Sequence, residues 1–336
     1  MPLFTRRHFA VTAGAFLATP GVAQQRSWDS VVDRAGSMEQ CHALIVHQNG
    51  APVVSERFRG PALGQLAPIK SVSKTIVAAL TGAALDRGEI PSPNSTIGQL
   101  APNLIPRGAD ARVAAITVEN LVTMQAGLER TSGANYGGWV SSANWVANAL
   151  SRPFVAEPGA RMLYSTGSFH VLGAVLAEVS GQSLLSLARE RLGRPLGIEV
   201  PAWTRDPQGR YLGGNEMALS VPAMVRFGEM YRQGGTWNGQ QVLSHDWVGA
   251  SLQPVTRSPF SGLAYGYGWF LGRSAGARYA LARGYGGQII CIVPDLGLTI
   301  AITSDPTRPA RSGGYFGDLI GLVENDILPV ARQNKS

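Results

Sequence analysis

Two residues three apart could carry chemistry. In IKSVSKTIVAAL, Ser71 and Lys74 spell Ser-x-x-Lys, and on a helix that spacing puts both side chains on one face, with Cβ atoms roughly 5–6 Å apart. A serine hydroxyl attacks only when a neighbour takes its proton. A lysine can take it only when burial or a nearby cation lowers its pKa from about 10.4. A serine in the first helical turn also offers its backbone N–H and the helix dipole to a reacting carbonyl. The stretch has a second reading, in which Ser71 or Ser73 caps a helix and Lys74 is a solvated charge. Lysine is scarce here, since among 29 Lys and Arg only Lys70, Lys74 and Lys335 are lysines. Arginine, which makes up the rest, cannot lose its proton in a protein.

Two further segments stand with this one. EPGARMLYSTGSFHVLG carries Tyr164-Ser165-Thr166 just before a helical pattern, and RYALARGYGGQII carries Gly284-Tyr285-Gly286-Gly287 at a strand junction. Glycines there would let a substrate lie against the strand without side-chain obstruction, or they make a plain glycine-rich turn. In this order the three segments resemble the motifs of the penicillin-recognising serine hydrolases, the family of class C β-lactamases, DD-peptidases and related esterases. Those motifs are Ser-x-x-Lys, Tyr-x-Asn and Lys-Thr-Gly or His-x-Gly. ITVENLVTMQAGL, PLGIEVPAWTRDPQGRYLGGNEMALS, MVRFGEMYRQGGTWNGQQVLSHDWV and YGYGWFLG are similar to the same family. In texture they look like its 6-aminohexanoate-dimer hydrolase-like branch. The resemblance runs from about Cys41 to Val330.

The resemblance implies Ser71 as the acylated nucleophile, Lys74 as its proton partner and Tyr164 as a second acid/base that relays a proton to the leaving group. It implies an oxyanion hole made by the backbone N–H groups of Ser71 and Gly287, substrate contacts at Thr166, Gly284, Tyr285 and Gly286, and no cofactor or metal. Two positions depart from the pattern. Thr166 stands where the family has Asn, so an orienting amide is missing, and Thr166 can instead cap a helix beginning at Ser168. Gly284 stands where the family has Lys or His, which removes a cation that would grip a substrate carboxylate. Arg283 is adjacent, but neighbouring strand residues face opposite ways. Both departures argue against efficient β-lactam turnover.

The elements that would position these residues are legible in outline. CHALIVHQNGAPVVSERF reads as a hairpin around Asn49-Gly50. Ser71 to about Asp86 has helical spacing of Ile76, Val77, Leu80 and Leu85. Helical segments broken by Pro and Gly loops continue to about Leu252. LAYGYGWFLG, RYALARGYGG, QIICIVPD and LGLTIAITSD then read as consecutive strands, closed by a helix in YFGDLIGLVENDIL. Strands at both ends around a helical middle predict an α+β fold of the β-lactamase/transpeptidase-like kind. One antiparallel sheet would be built from segments at about 40–70 and 254–336, with a helical lobe at about 71–253 inserted, all within one domain spanning 24–336.

The loop ERTSGANYGGWVSS carries Arg130, Tyr136 and Trp139; it either lines the cleft mouth, with Tyr136 donating to substrate, or is an ordinary surface loop. His170 reads as a packing residue, and Tyr265, Tyr267 and Trp269 as a core stripe with strand alternation. Five histidines (His8, His42, His47, His170, His245) lack metal spacing. Cys41 and Cys291 read as buried free thiols.

The composition, 45% hydrophobic and 15% charged with a formal net charge of +7, is that of a globular chain. The basic residues are scattered and form no stripe with aromatics, which argues against nucleic acid. MPLFTRRHFAVTAGAFLATPGVAQQ carries Arg6-Arg7, a short apolar stretch and small residues ending at Ala23. This reads as a twin-arginine export signal over residues 1–23, too short to span a bilayer. The expectation is an exported, periplasmic or secreted serine hydrolase that cleaves an ester or amide of a small-molecule or short-peptide-like substrate, without cofactor or metal. β-lactamase or DD-peptidase activity, and a non-catalytic binding protein on the same fold, are the alternatives.

Overall fold

The computed structural model describes residues 27–333; the expected export signal lies outside the described residues. The hairpin forms where the sequence places it. Asn49 (φ 52°) and Gly50 (φ 84°) are both left-handed, the conformation that matches the twist of paired strands, and they join β1 (Cys41–Gln48) to β2 (Ala51–Arg57). Six strands follow late in the chain: β3 (Thr256–Arg257), β4 (Ala264–Tyr265), β5 (Phe270–Ser274), β6 (Ala277–Gly284), β7 (Gln288–Val293) and β8 (Leu298–Ser304). The eight make one antiparallel sheet in the order β2-β1-β8-β7-β6-β5-β4-β3. The first and last strands pair from Cys41↔Ser304 to Gln48↔Leu298. The sheet is thus closed by the two ends of the chain, as expected.

β7 and β8 are buried along their whole length, and their near-continuous apolar sequence follows from being covered on both faces. On one side lie α1 (Trp28–Ser37) and the C-terminal helices. The latter are tied down by Tyr279 Oη donating to Glu324 Oε1 at 2.7 Å and Gln48 Nε2 donating to the Ala331 carbonyl at 2.8 Å. On the other side a helix over Val221–Arg232 packs on β1, β7 and β8. A Cβ at its Gly228 would stand 2.6 Å from Thr299 Cγ2, so only glycine lets helix and sheet approach this closely. The expected helical segment at 71–253 therefore splits, because this helix belongs to the sheet by packing.

The helix α2 (Ser73–Asp86) is buried on every side from Ser73 to Ala84, as suits a helix with no polar face. α3 (Thr166–Ser180) packs against it. Residues Lys70–Val72 precede α2 as a separate 3-10 turn, so Ser71 stands just before the α-helix rather than within it. The Tyr265, Tyr267, Trp269 stripe is core, as read, but β4 ends at Tyr265 and the other two sit on the loop that follows. Cys41 and Cys291 are buried free thiols. Burial pushes the Cys41 thiol up to about 12.

Candidate active site

The Ser71 segment is built by a kink. Lys70 has φ 50°, a left-handed conformation that costs a non-glycine residue of order 1 kcal/mol and persists only where its surroundings fix it. Four contacts fix it. Ile69 N–H donates to the Met217 carbonyl at 2.9 Å. Ser73 Oγ donates to the Lys70 carbonyl at 2.6 Å and accepts from Met217 N–H at 3.2 Å. Lys70 Nζ meets Glu216 Oε1 at 3.2 Å. Ser73 is thereby spent on structure, and Ser71 is left half-buried at the helix entrance.

Lys74 is buried, with 2% of its surface exposed. Its Nζ lies 3.0 Å from Ser71 Oγ, 3.2 Å from Thr166 Oγ1 and 2.7 Å from the Gly214 carbonyl oxygen. None of the three partners is charged. Burial pushes the pKa of this amine down, opposed by the nearby Tyr164 phenol. The neutral amine fits the three partners without rearrangement, its lone pair facing the Ser71 hydroxyl and its two N–H groups donating to Gly214 and Thr166. The Tyr164 ring centroid is 5.0 Å from Nζ.

Tyr164 and Thr166 are placed by a helix end capped from another loop. Thr131 Oγ1 accepts the Gly167 N–H at 2.7 Å, and Ser132 Oγ accepts the Thr166 N–H at 2.9 Å. These are free amides of the first turn of α3. Ser165, the residue before the helix, uses its Oγ to accept the Thr131 N–H at 3.0 Å. Thr166 is itself the first helical residue, so the helix does not begin at Ser168 and Thr166 is no cap. Its hydroxyl faces Lys74 on one side and Ser132 Oγ at 3.0 Å on the other. The hydroxyl of the position expected to contact substrate thus bridges the lysine and Ser132.

The glycine segment forms the turn between β6 and β7, with Gly284 opposite Gln288. β6 lies against the 3-10 turn of Ser71. A Cβ at Gly284 would stand 2.3 Å from the Ile69 carbonyl oxygen, so this position is closed to any side chain, and lysine or histidine could not sit here. Arg283 points away, stacking its guanidinium 3.5 Å from the Phe316 ring centroid. The expected donor Gly287 spends its N–H on the Gly284 carbonyl at 3.2 Å. Among the described residues, the N–H groups of Ser71 and Tyr285 have no acceptor. Tyr285 is 52% exposed, and Gly286 (φ 81°) turns the chain while its carbonyl accepts from Gln40 Nε2 at 3.4 Å.

The loop with Arg130, Tyr136 and Trp139 divides. Trp139 is fully buried against Trp145 and Leu212 and cannot line a cleft. Arg130 lies over the Phe260 ring at 5.4 Å. Tyr136 reaches the site through Asn215, whose Nδ2 donates to Tyr136 Oη at 3.1 Å. The sequence reading missed the stretch 213–217, which supplies the Gly214 carbonyl, Asn215, the Glu216 partner of Lys70 and both backbone groups of Met217. Its one signal was the Gly213-Gly214 pair, where a backbone can come close; a Cβ at Gly214 would stand 2.9 Å from Phe169 Cβ.

Comparison with known proteins places the fold. A curated relative is the D-alanyl-D-alanine-carboxypeptidase/endopeptidase AmpH of Escherichia coli K12, 28% identical over 211 residues. The match takes in 57% of this chain and 53% of that protein, so the chain spans about half the length of the curated relatives it matches. Among solved structures, one described as a 6-aminohexanoate-dimer hydrolase from Bacillus anthracis superposes with TM-score 0.73 at 18% identity, over 91% of this chain and 82% of that one. EstCE1, described as a hydrolase with promiscuous acyltransferase activity, gives TM-score 0.72 at 15% identity over 88% and 97%. The octameric penicillin-binding protein homologue from Pyrococcus abyssi gives 0.69 at 17% over 89% and 77%. The beta-lactamase family profile matches residues 29–323, and the chain belongs to the beta-lactamase family.

Proposed function

We propose that this protein is a serine hydrolase that opens ester or short amide bonds through an acyl-enzyme on Ser71. The observation that carries the reading is the buried Lys74 amine, 3.0 Å from Ser71 Oγ and surrounded by uncharged partners. An ammonium there would be a buried charge without a carboxylate, which folding disfavours unless the proton is given up. As Ser71 Oγ bonds to the substrate carbonyl carbon, its proton passes to Nζ. The oxyanion is received by the N–H of Ser71 and, in our assignment, that of Tyr285 in place of Gly287. Tyr164 relays the proton to the departing alcohol or amine. Water then attacks the acyl carbonyl, gives its proton to the same pair and releases the acid.

Esters and short amides are favoured over β-lactams and cell-wall peptides because position 284 is closed to a side chain and so cannot supply a cation for a substrate carboxylate. The substrate is a small or short-peptide-like molecule entering beside Tyr285. Export rests on the Arg6-Arg7 leader, which supports a periplasmic or secreted location. The test is covalent labelling with a fluorophosphonate probe. Wild type is expected to label and Ser71→Ala not to; equal labelling of both would remove the nucleophile and leave a binding protein. Nitrophenyl esters, short amides and a chromogenic cephalosporin then rank the substrate classes, and a dominant cephalosporin rate would overturn the ester and amide preference.

A further inference from the structure

Behind the stretch 213–217 lies a second polar cluster that the proposed chemistry does not use. His170 on α3 and Asp206 have side chains with no exposure at all, and His170 Nε2 lies 3.1 Å from Asp206 Oδ2. The other ring nitrogen, Nδ1, accepts the Gly213 N–H at 3.3 Å. A backbone N–H can only donate, so Nδ1 carries no proton and Nε2–H donates to the carboxylate. Trp139 and Trp145 set their rings edge-on against the imidazole at 5.8 and 5.6 Å. Asp206 Oδ1 meanwhile accepts the N–H groups of Gln208 at 2.9 Å and Arg210 at 2.8 Å. The carboxylate is thereby fixed at both oxygens.

A histidine and an aspartate near a reactive serine suggest a triad, and the geometry excludes it. Both ring nitrogens are taken, and no path leads from the imidazole to Ser71 Oγ. What the ring does touch is Gly213, and the next residue supplies the carbonyl that holds Lys74 at 2.7 Å. The backbone leading into that carbonyl is tightly enclosed, since a Cβ at Gly213 would stand 2.1 Å from the Phe169 carbonyl oxygen and one at Gly214 2.9 Å from Phe169 Cβ. The position of the Gly214 oxygen is therefore set by the imidazole behind Gly213 and by Ser73 Oγ at Met217 N.

We propose that His170 and Asp206 are positioning residues for Lys74, holding the Gly213–Gly214 backbone so that the Gly214 carbonyl accepts a hydrogen bond from the amine. The carbonyl does two things from there. It turns the lysine's lone pair toward Ser71 by occupying one N–H. It also stabilises the protonated amine once the serine's proton has arrived, since a carbonyl binds an ammonium more strongly than an amine. This inference rests on Ser71 and Lys74 being the nucleophile and base. The titratable group acting on that amine is Tyr164, while Lys70, on the segment just before it, pairs with Glu216.

The test compares His170→Phe, which keeps a ring and loses the acceptor, with His170→Asn, whose side-chain oxygen replaces Nδ1. In His170→Phe the rate of fluorophosphonate labelling and kcat on a nitrophenyl ester are expected to fall about tenfold or more, with KM changed by less than about threefold, because a misplaced catalytic group costs turnover rather than binding. The acid limb of the rate profile should move to lower pH, since losing the carbonyl removes support from the ammonium more than from the amine. His170→Asn should restore most of the rate and return the limb. If His170→Phe does not fold, Asp206→Asn decides, with the same direction expected because an amide no longer fixes the Nε2–H tautomer. A folded variant that labels at the wild-type rate with an unmoved limb overturns the positioning role while Ser71 remains the nucleophile. Labelling of Ser71→Ala equal to wild type would instead remove the reading beneath it.

Discussion

Lys70 and Lys74 are four residues apart on one segment and live in opposite electrostatic worlds. The Lys70 side chain is 21% exposed and paired with Glu216, itself 33% exposed. The Lys74 side chain is sealed among a serine, a threonine and a backbone carbonyl. Surface pairs of the first kind contribute about 0–1 kcal/mol. A buried amine without a counter-ion costs stability and shifts its protonation instead. Buried charge elsewhere in the fold is handled differently: Glu229, likewise inside, has Arg232 Nη2 at 2.6 Å and Gln233 Nε2 at 3.2 Å, and those partners outweigh its burial and hold its carboxyl below the usual range. Where a buried ion is structural it is paired. Lys74 is not, and the proposed role as a base rests on that absence of a carboxylate.

The largest effect should follow from breaking that difference at Lys74. Lys74→Met is expected to lower fluorophosphonate labelling by about 10²–10⁴, the usual contribution of a general base, and Lys74→Arg should fare no better, since a guanidinium cannot accept the proton. The same Lys74→Met change should raise stability, by about 1–3 kcal/mol at neutral pH, because it removes a desolvated amine from the interior. The sign of the pH dependence follows. The folded-state pKa is depressed below 10.5, so between that lowered value and 10.5 the unfolded chain binds more protons, and wild-type stability rises with pH. The gap in melting temperature between Lys74→Met and wild type should therefore be widest at low pH and close as pH approaches 10.5. A gap that is flat with pH would mean that Lys74 stays protonated in the fold.

Next in size is Gly284→Ala. The added Cβ would meet the Ile69 carbonyl at 2.3 Å, two residues before Ser71, and something must move. We expect about 1–3 kcal/mol of lost stability and a drop of about 10²-fold in kcat from displacing Ser71 against the glycine turn. Thr166→Val should be milder. It removes one acceptor from Lys74 while keeping shape, so the protonated amine loses support, and the acid limb moves down with about a tenfold loss of rate. An unmoved limb in Thr166→Val would mean that the threonine hydroxyl serves substrate after all.

How much of this was legible in the sequence differs between the same two regions. The hairpin at Asn49-Gly50, the strands that close on it and the Ser71–Lys74 pairing follow from local pattern, because turn chemistry and periodicity are written residue by residue. The second and third segments do lie beside Ser71 and Lys74, while the contacts of their individual groups could not be read from the sequence. Thr166 looked like a failed substrate amide, since a sequence does not say which way a hydroxyl points; in the fold Ser132 and Lys74 occupy it. Gly287 is the expected oxyanion donor, but how an amide is engaged depends on turn geometry, and here the Gly287 N–H bonds back to the Gly284 carbonyl. Least legible was the stretch 213–217. Its contributions are backbone groups, and a carbonyl has no letter of its own.

The smallest effect belongs to Lys70. If its environment is as ordinary as its neighbour's is special, Lys70→Gln and Glu216→Gln should each leave labelling within about threefold of wild type. A double-mutant cycle on melting should give a coupling of no more than about 1 kcal/mol. Lys70 nevertheless differs from a plain surface lysine in its backbone, which is left-handed at φ 50°, as is that of Glu216 at φ 67°. Lys70→Gly should therefore be tolerated better than Lys70→Ala, by about 1 kcal/mol, because glycine enters that region freely and alanine does not. Equal stability of the two variants would mean that the kink before Ser71 is held without strain. A large loss of labelling in Lys70→Gly at unchanged stability would make the Lys70–Glu216 pair part of the mechanism that sets Ser71, and would erase the contrast between the two lysines.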